Sequence, residues 1–439
     1  MKARAAVTLA LALVACAAPM ARAQEAAPDT SLHQFLHTLS DSTDAYFGMT
    51  AAPLDTAGLD SALAVGLSRP WRGQHLHTHF GYAPVLGFNR VDGSVAGGSA
   101  SLSSRRWRLL GDLAHAGGTH LWVGGGEAWA GIRRHETLWG LRVRGGRRTA
   151  VIDRDVQEKK LAALRALITG DDHQHYFRRD GYEVAFTGDG PTWSGALGFR
   201  DMLESPLPVT TTWDLAKRAL EVPWNVPAAF GRAREATLTA RVRVPFLPLT
   251  AQLSHQTSDG ALGSDFDYRR TRVALGGEFA VGGHVSFLPQ LVYGRLGGDA
   301  VPQASFYLGG ARTLRSLPGE AIGGTGLALA RLDVILADDL LALAHIPHPA
   351  MFPLQAGVFA ASGAVWGADP YGGPGSAAGD WPQRQAWLSE AGVSLLYRPG
   401  VPDDDGYFRL NYAFPLGGDS RDGRWSVSYS RALDLLRPF

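Results

Sequence analysis

The stretch FRLNYAFPL, Phe408 to Leu416, places Phe408, Leu410, Tyr412, Phe414 and Leu416 at every second position and fills the gaps with Arg409, Asn411, Ala413 and Pro415. A β-strand sends successive side chains to opposite faces, so this stretch builds one greasy face and one polar or small face. The same period recurs upstream. In TLTARVRVPF, Thr237 to Phe246, the residues Leu238, Ala240, Val242, Val244 and Phe246 alternate with Thr237, Thr239, Arg241 and Arg243. Leu249, Ala251 and Leu253 alternate with Thr250, Gln252 and Ser254; Trp139, Leu141 and Val143 with Arg142 and Arg144; Trp425, Val427 and Tyr429 with Ser426, Ser428 and Ser430. The period dominates from about Asn89 onward, and at about 22 residues per strand and connection the remaining chain holds about sixteen strands.

A soluble sandwich alternates in the same way, so the environment is decided by other features. Lys2 and Arg4 precede the apolar run Ala5 to Ala15, and Ala21-Arg22-Ala23 then leads to Gln24. These are the three regions of a secretory signal peptide cleaved after Ala23. A competing reading takes Leu13-Val14-Ala15-Cys16 as a lipoprotein box. Ordinary cleavage removes the only cysteine, which excludes a disulfide framework and any cysteine-based metal or nucleophile site. Loss of Lys2, Arg4 and Arg22 takes the formal net charge from +1 to −2, leaving no basic excess for nucleic acid. No run of about 18 apolar residues follows the signal, so a helical span is not expected. Yet the chain is 45% hydrophobic with 54 glycines and 12 tryptophans, ample apolar material for strands. A barrel reconciles these facts, because each strand needs only about ten residues with apolar side chains at every second position.

The expected fold is all-β: a transmembrane antiparallel β-barrel of about sixteen strands, exported to the bacterial outer membrane. Residues 1–23 are the signal peptide, 24–80 a periplasmic stub or plug segment, and 81–439 the barrel, closing on Phe439. Two short helical pieces are expected in the stub, at His33 to Ser40 and Ala57 to Leu67. Two helical interruptions, Asp155 to Leu167 and Trp213 to Leu220, are expected in loops.

Candidate chemistry is sparse. His75, His77 and His79 would share a strand face, but at about 3.3 Å per residue the outer two lie about 13 Å apart, too far for one tetrahedral zinc. The cluster Asp171, Asp172, His173 and His175 precedes Tyr176 and Phe177 at an expected strand start and reads as an exposed loop end. G-x-S-x-G does not occur, and beyond the signal Lys159, Lys160 and Lys217 follow no glycine, so there is no P-loop. No catalytic residue, metal, cofactor or nucleotide is expected, and the chain does not read as an enzyme; lipid modification through the histidine clusters is the outside alternative. Arg142, Arg144, Arg241, Arg243, Arg272 and Arg409 are expected on a solvated interior wall.

From Phe306 the chain reads FYLGGARTLRSLPGEAIGGTGLALARLDVIL. This resembles the sixth-loop region of the BamA/TamA superfamily of outer-membrane insertases and translocases. Phe306, Leu308, Gly309 and Gly310 match the approach to the loop, Arg315 its tip arginine, Gly323 and Gly324 its return, and Asp333 the acidic position of the following strand. Ser316 and Leu317 depart from the tip glycine and aromatic of that family. GFNRVDGSVAGG (Gly87 to Gly98), FRLNYAFPLG (Phe408 to Gly417) and GRWSVSYSRAL are similar to the family's first, penultimate and closing strands. The resemblance implies an arginine folded back onto an acid in a Phe-x-Asp-x-Gly strand. Its counterpart here, Phe359 to Gly363, carries Ala361 in the acidic place, so Arg315 is expected either to pair with Asp333 or Glu320 or to remain hydrated. It also implies a weak seam between first and last strands, expected in Asp92 to Leu102 and Trp425 to Leu433. Residues 24–72 lack the rhythm of the family's partner-binding repeats, so the chain resembles a barrel-only member. The implied function is assembly or translocation of outer-membrane polypeptides, with outer-membrane lipid and unfolded polypeptides as partners. A passive pore or structural barrel without a client is the alternative.

Overall fold

The computed structural model describes residues 78–153, 162–169, 172–213, 215, 225–347, 353–372, 381–397, 406–416 and 422–431. The signal peptide, residues 24–77 of the stub segment with His75 and His77, Asp171, the lysines and Phe439 lie outside them.

Nineteen strands are formed among the described residues. The first nine are β1 (His79–Asn89), β2 (Gly93–Ser104), β3 (Trp107–Ala116), β4 (Leu121–Arg134), β5 (Thr137–Val151), β6 (Tyr176–Asp189), β7 (Trp193–Pro206), β8 (Gly231–Arg243) and β9 (Leu249–Ser258). Then come β10 (Tyr268–Gly277), β11 (Phe279–Val281), β12 (Val285–Gly298), β13 (Phe306–Leu308), β14 (Ile322–Gly324) and β15 (Gly326–Leu336). The last four are β16 (Leu354–Trp366), β17 (Leu388–Tyr397), β18 (Gly406–Leu416) and β19 (Arg424–Arg431). A helix, α1 (Ala162–Thr169), follows β5; it overlaps the C-terminal part of the first expected helical interruption and runs two residues beyond it. Of the second, only Trp213 and residue 215 are described.

Each large strand pairs antiparallel with the next, from β1 to β19, and β13 and β14 form a separate hairpin. β10 and β11 hold one continuous register against β12, from Tyr268↔Gly298 to Val281↔Val285, and count as a single wall strand. The meander therefore has sixteen wall strands, the expected number. Among the described residues no pairing joins β19 to β1, so the sheet has two edges.

Two contacts show that the sheet curls. Arg315 and Glu320 are five residues apart in sequence, within about 18 Å even when extended. Yet the Arg315 amide donates to Glu390 on β17, and Glu320 accepts from the His175 amide at the start of β6. A flat sheet would separate those strands by eight spacings, about 38 Å.

The alternation sorts the two faces. Leu238, Val242, Leu141, Val143, Phe408, Leu410, Phe414, Trp425 and Val427 are exposed on the outside, whereas Thr237, Gln252, Ser254, Arg409, Asn411 and Ser428 are buried inside. A continuous apolar exterior with a polar interior is the arrangement a bilayer demands. The interior wall is less solvated than the sequence suggests. Arg142 and Arg144 both reach Glu183, at 3.0 and 2.6 Å, Arg200 bridges Glu183 (2.6 Å) and Glu235 (3.3 Å), and Arg179 pairs with Glu204 at 2.7 Å. Opposite charges on neighbouring strands thus neutralise one another where water is scarce.

Most connections at one end are short, such as residues 105–106, 135–136 and 190–192, with 337–353 the long one there, whereas the other end carries 152–175, 207–230, 299–325 and 367–387 beside the short turns 90–92 and 117–120. In such barrels the long loops face outward from the cell and the short turns the periplasm. β1 starts and β19 finishes at the short-turn end, since the wall has an even number of strands.

The first strand is displaced from its expected place. β1 begins at His79, and Asp92 to Leu102 falls in the β1–β2 turn and in β2, inside the sheet rather than at its edge. Pro84, with Gly81 and Gly87, reads as a break in sequence. Proline lacks an amide donor and is tolerated on an edge strand, where a ladder bond need not be made. Phe80, Tyr82 and Leu86 remain exposed at 68%, 84% and 77% on the outer face.

Candidate functional site: an arginine-tipped loop in the barrel interior

The β13–β14 hairpin carries residues 309–321 into the barrel. Tyr307 pairs with Gly323 and Phe306 with Gly324, so the approach and return of the loop form one short ladder. Phe306 is fully buried, its ring seated against Gly294 of β12 and under the Arg270 guanidinium, with Cζ 4.3 Å from the ring centroid. Gly309 and Gly310 turn the chain at φ 126° and 93°, and a Cβ on Gly309 would lie 1.9 Å from the Pro318 carbonyl oxygen. Only glycine meets both conditions. The Gly310 amide donates to the carbonyls of Leu314 and Leu317, and the Gly309 amide to Thr313 Oγ1, so the loop closes on itself.

The tip arginine is buried to 1% exposure. Arg315 Nη2 donates to Asp333 Oδ1 at 2.7 Å, Nη1 lies 3.4 Å from Ser394 Oγ, and its Cζ stacks 4.0 Å from the Phe359 ring centroid. Asp333 also receives Arg331 Nε at 2.6 Å and Arg409 Nη1 at 3.2 Å. One carboxylate thus gathers three guanidiniums from the loop, β15 and β18. Of the two acids offered by the sequence, Asp333 is the one Arg315 touches. Phe359 of the Phe-x-Asp-x-Gly counterpart supplies the ring, and Ala361 faces Glu390 across the β16–β17 ladder.

Glu390 takes a role that sequence reasoning missed. Its Oε1 accepts from the Arg315 amide at 2.8 Å and its Oε2 from the Ser316 amide at 2.6 Å, holding the backbone of the tip while Asp333 holds its side chain. Arg424 of β19 donates to the Leu317 carbonyl at 2.7 Å. The loop is therefore fixed to β15, β17 and β19, stacks on the ring of β16, and reaches β18 only through the Asp333 carboxylate it shares with Arg409.

Glu320 faces the opposite way. It is 1% exposed and accepts from the amides of Asp153 (3.1 Å) and His175 (2.5 Å), while its own carbonyl accepts from the Tyr371 hydroxyl. Its backbone sits at φ 51°, a region rarely occupied by non-glycine residues, and the two amides hold it there. Burial pushes its carboxyl well above the usual carboxylate range, with Asp153 acting in the same direction.

Asp172, Gln174 and His175 are buried, not exposed as a loop end. They meet the β1–β2 turn across the long-loop mouth: the Arg90 amide donates to Asp172 Oδ2 at 3.1 Å and Arg90 Nη2 to the Gln174 carbonyl at 2.5 Å. His175 Nδ1 receives the Val226 amide and faces Arg90 Nη2, each at 3.2 Å, while Nε2 lies 3.0 Å from the Tyr371 hydroxyl. Two donors at Nδ1 place the ring proton on Nε2 and leave no room for a second. Burial first, and Arg90 second, depress the imidazole to about 3.

A depressed histidine stabilises the fold fully above its ordinary value of about 6.5 and loses that contribution as pH falls toward 3, by at most about 1.4 kcal/mol per unit. Glu320 has the opposite slope, losing stability only as pH rises past its ordinary 4.5. Of these two groups, only the histidine changes its contribution below that value. Heat-modifiable migration of the barrel in detergent should therefore show an unfolding midpoint that falls between pH 4.5 and 3.5, and His175→Gln should flatten that fall. An identical fall in the variant would mean that other groups govern acid sensitivity.

His79 opens β1 at the periplasmic end and is exposed. Arg272 and Arg409 are both interior and 2% exposed.

No protein-family model and no curated protein sequence matches the chain. Among solved structures, the chain is similar to BamA from Haemophilus ducreyi lacking POTRA domains 1–3, at 12% identity and a TM-score of 0.49, over 81% of this chain and 70% of that one. It is also similar to CdiB from Escherichia coli (12% identity, TM-score 0.43, 81% of this chain and 62% of that one). OccK1 of Pseudomonas aeruginosa is matched at 12% identity and a TM-score of 0.35, over 80% of this chain and 94% of that one. Sixteen antiparallel wall strands curled around an arginine-tipped loop returned into the interior give this chain the fold of an outer-membrane-type β-barrel.

Proposed function

We propose that this outer-membrane barrel assists the assembly or translocation of outer-membrane polypeptides, working at the seam between β1 and β19. The observation that carries this reading is the pair of sheet edges. Among the described residues neither β1 nor β19 has a partner on its outer side, and β19 pairs with β18 over only eight residues. Unpaired amides and carbonyls on an edge are a template on which an extended polypeptide adds as a further strand. The interior loop supports the same role. It fastens the strands next to one edge to a common anchor, so that edge keeps its shape when the seam opens. The partners of this reading are the surrounding lipid and an unfolded polypeptide; no chemical step is required.

The test is the folding rate of a urea-unfolded porin into liposomes that contain the purified barrel. Folding should be several-fold faster than in liposomes holding an unrelated barrel. Equal rates, together with a steady ion conductance unaffected by added polypeptide, would overturn the proposal in favour of a passive pore.

A further inference from the structure

On the outer face of β3 to β5 one row of side chains is missing. Register aligns Gly111 of β3, Gly126 of β4 and Gly145 of β5, and the next row toward the periplasm carries Leu102, Leu109 and Val143. Phe80 of β1, opposite Leu102, ends that row at the edge strand. The step between the two rows is an open apolar groove of about 560 Å³. Two of its glycines are not demanded by the sheet. A Cβ on Gly111 would lie 3.9 Å from the nearest backbone atom and one on Gly126 3.6 Å, both ordinary contacts, and neither residue takes a positive φ. Glycine weakens a strand, and where no bulge or turn calls for it, it marks a surface that something else approaches closely.

The groove leads down to positive charge. Arg106 in the β2–β3 turn and Arg134 at the end of β4 are exposed, and neither is ion-paired. The Arg106 carbonyl accepts from the Gly131 amide at 2.8 Å, which sets Arg106 three residues, about 10 Å, from Arg134 along β4. Residues 105–106 and 133–136 together hold four arginines against one acid, Glu136. Of the acids on neighbouring strands, Glu127 is taken by Arg108 at 2.5 Å, and Asp189 at the end of β6 shares the inward row of Leu138. From Arg106 to Gly111 is five residues, about 17 Å along β3, which matches one leaflet, half of a hydrocarbon core about 30 Å thick. An amphiphile with its headgroup at this rim therefore lays its acyl chain in the groove.

We propose that the groove and the rim below it bind an anionic phospholipid of the periplasmic leaflet, its phosphodiester on Arg106 and Arg134 and an acyl chain across Gly111 and Gly126 beside Leu109. Guanidinium groups bind phosphate through charge-assisted hydrogen bonds, and basic residues at a membrane surface attract anionic lipid. Trp139, opposite Ile132 on the same face, marks the boundary between headgroup and chain, where amphipathic rings settle. A second copy of the barrel is the poorer occupant: held in the same orientation by the membrane, it would bring two basic rims together. The site rests on the barrel wall alone and not on the role of the seam.

The experiment reconstitutes the full-length protein in an equal mixture of phosphatidylglycerol and phosphatidylcholine, extracts it in mild detergent and reads the retained lipid by native mass spectrometry. The wild type should keep phosphatidylglycerol in preference to phosphatidylcholine. Arg106→Ser/Arg134→Ser removes the charge-assisted contacts and should lower the retained phosphatidylglycerol about tenfold or more. Gly111→Leu/Gly126→Leu fills the groove with the charges in place and should lower it by a similar factor. Both variants should keep the heat-modifiable migration of the wild type, because the arginines are exposed and the glycines have room for a Cβ; Gly111→Val alone serves should the leucines block folding. Unchanged retention in either the arginine or the groove variant would overturn the site. Equal retention of phosphatidylcholine would overturn its assignment to an anionic headgroup, and a lipid-free wild-type dimer that the groove variant breaks would overturn it in favour of a second copy.

Discussion

Replacing Asp333 with alanine should remove most of the folded barrel from the outer membrane, a larger loss than any change at Arg315 itself. The carboxylate is the shared anion of Arg315, Arg331 and Arg409, whose side chains are 1%, 8% and 3% exposed. Without it three guanidiniums face one another in a confined interior. Leaving a buried charge uncompensated costs about 3–5 kcal/mol, a large part of the roughly 5–15 kcal/mol that holds a typical domain together. Arg315→Ala should be milder. It forfeits the stacking on Phe359, worth about 0.5–2 kcal/mol, and an ion pair, but it also relieves one repulsion and leaves Asp333 with two partners. Asp333→Asn, which keeps the shape and drops the charge, should resemble the alanine variant. The measurement is the fraction of compact, heat-modifiable barrel in isolated outer membranes. An Arg315→Ala defect equal to or greater than that of Asp333→Ala would mean that the loop tip, not the shared anion, dominates.

How far these features were legible in sequence depends on whether they obey a local period. Strand alternation does, because the bilayer acts on every second residue, and it yields the wall strands and the interior placement of Arg272 and Arg409. Period two also marks Arg331 and Asp333 as inward residues of one strand. β1 was obscured because Pro84, Gly81 and Gly87 carry turn signals. What made them acceptable is an edge position, which is a property of the sheet. The buried Asp172, Gln174 and His175 looked like an exposed loop end because their burial comes from distant segments: the β1–β2 turn more than eighty residues earlier and, around His175, Val226, Glu320 and Tyr371. The approach and return glycines of the interior loop were legible only through the family resemblance; the structure supplies the physical reason for two of them, Gly309 and Gly310, which take positive φ where the hairpin turns back. The anchors of that loop were only half readable. Side-chain pairs leave complementary charges in the sequence, whereas an acid that binds backbone amides leaves none.

Glu390 is that acid, and its removal is the second large effect expected. It is 1% exposed and accepts both the Arg315 and Ser316 amides. Glu390→Ala leaves two buried donors unmet, each at about 1–3 kcal/mol, and lets the loop tip leave the wall. Glu390→Gln retains one acceptor oxygen and should fall between the alanine variant and the wild type. The register supplies a sharper check. Ala361 lies directly opposite Glu390 on the neighbouring strand and points to the same interior face. An aspartate introduced there, Ala361→Asp in the Glu390→Ala background, returns an anion one strand spacing away, about 4.8 Å. If the defect comes from lost acceptors and lost negative charge beside three arginines, the double variant should regain part of the folded yield. If Glu390 acted only by filling space, the added carboxylate would give no recovery, and the electrostatic account of the loop anchor would have to be abandoned.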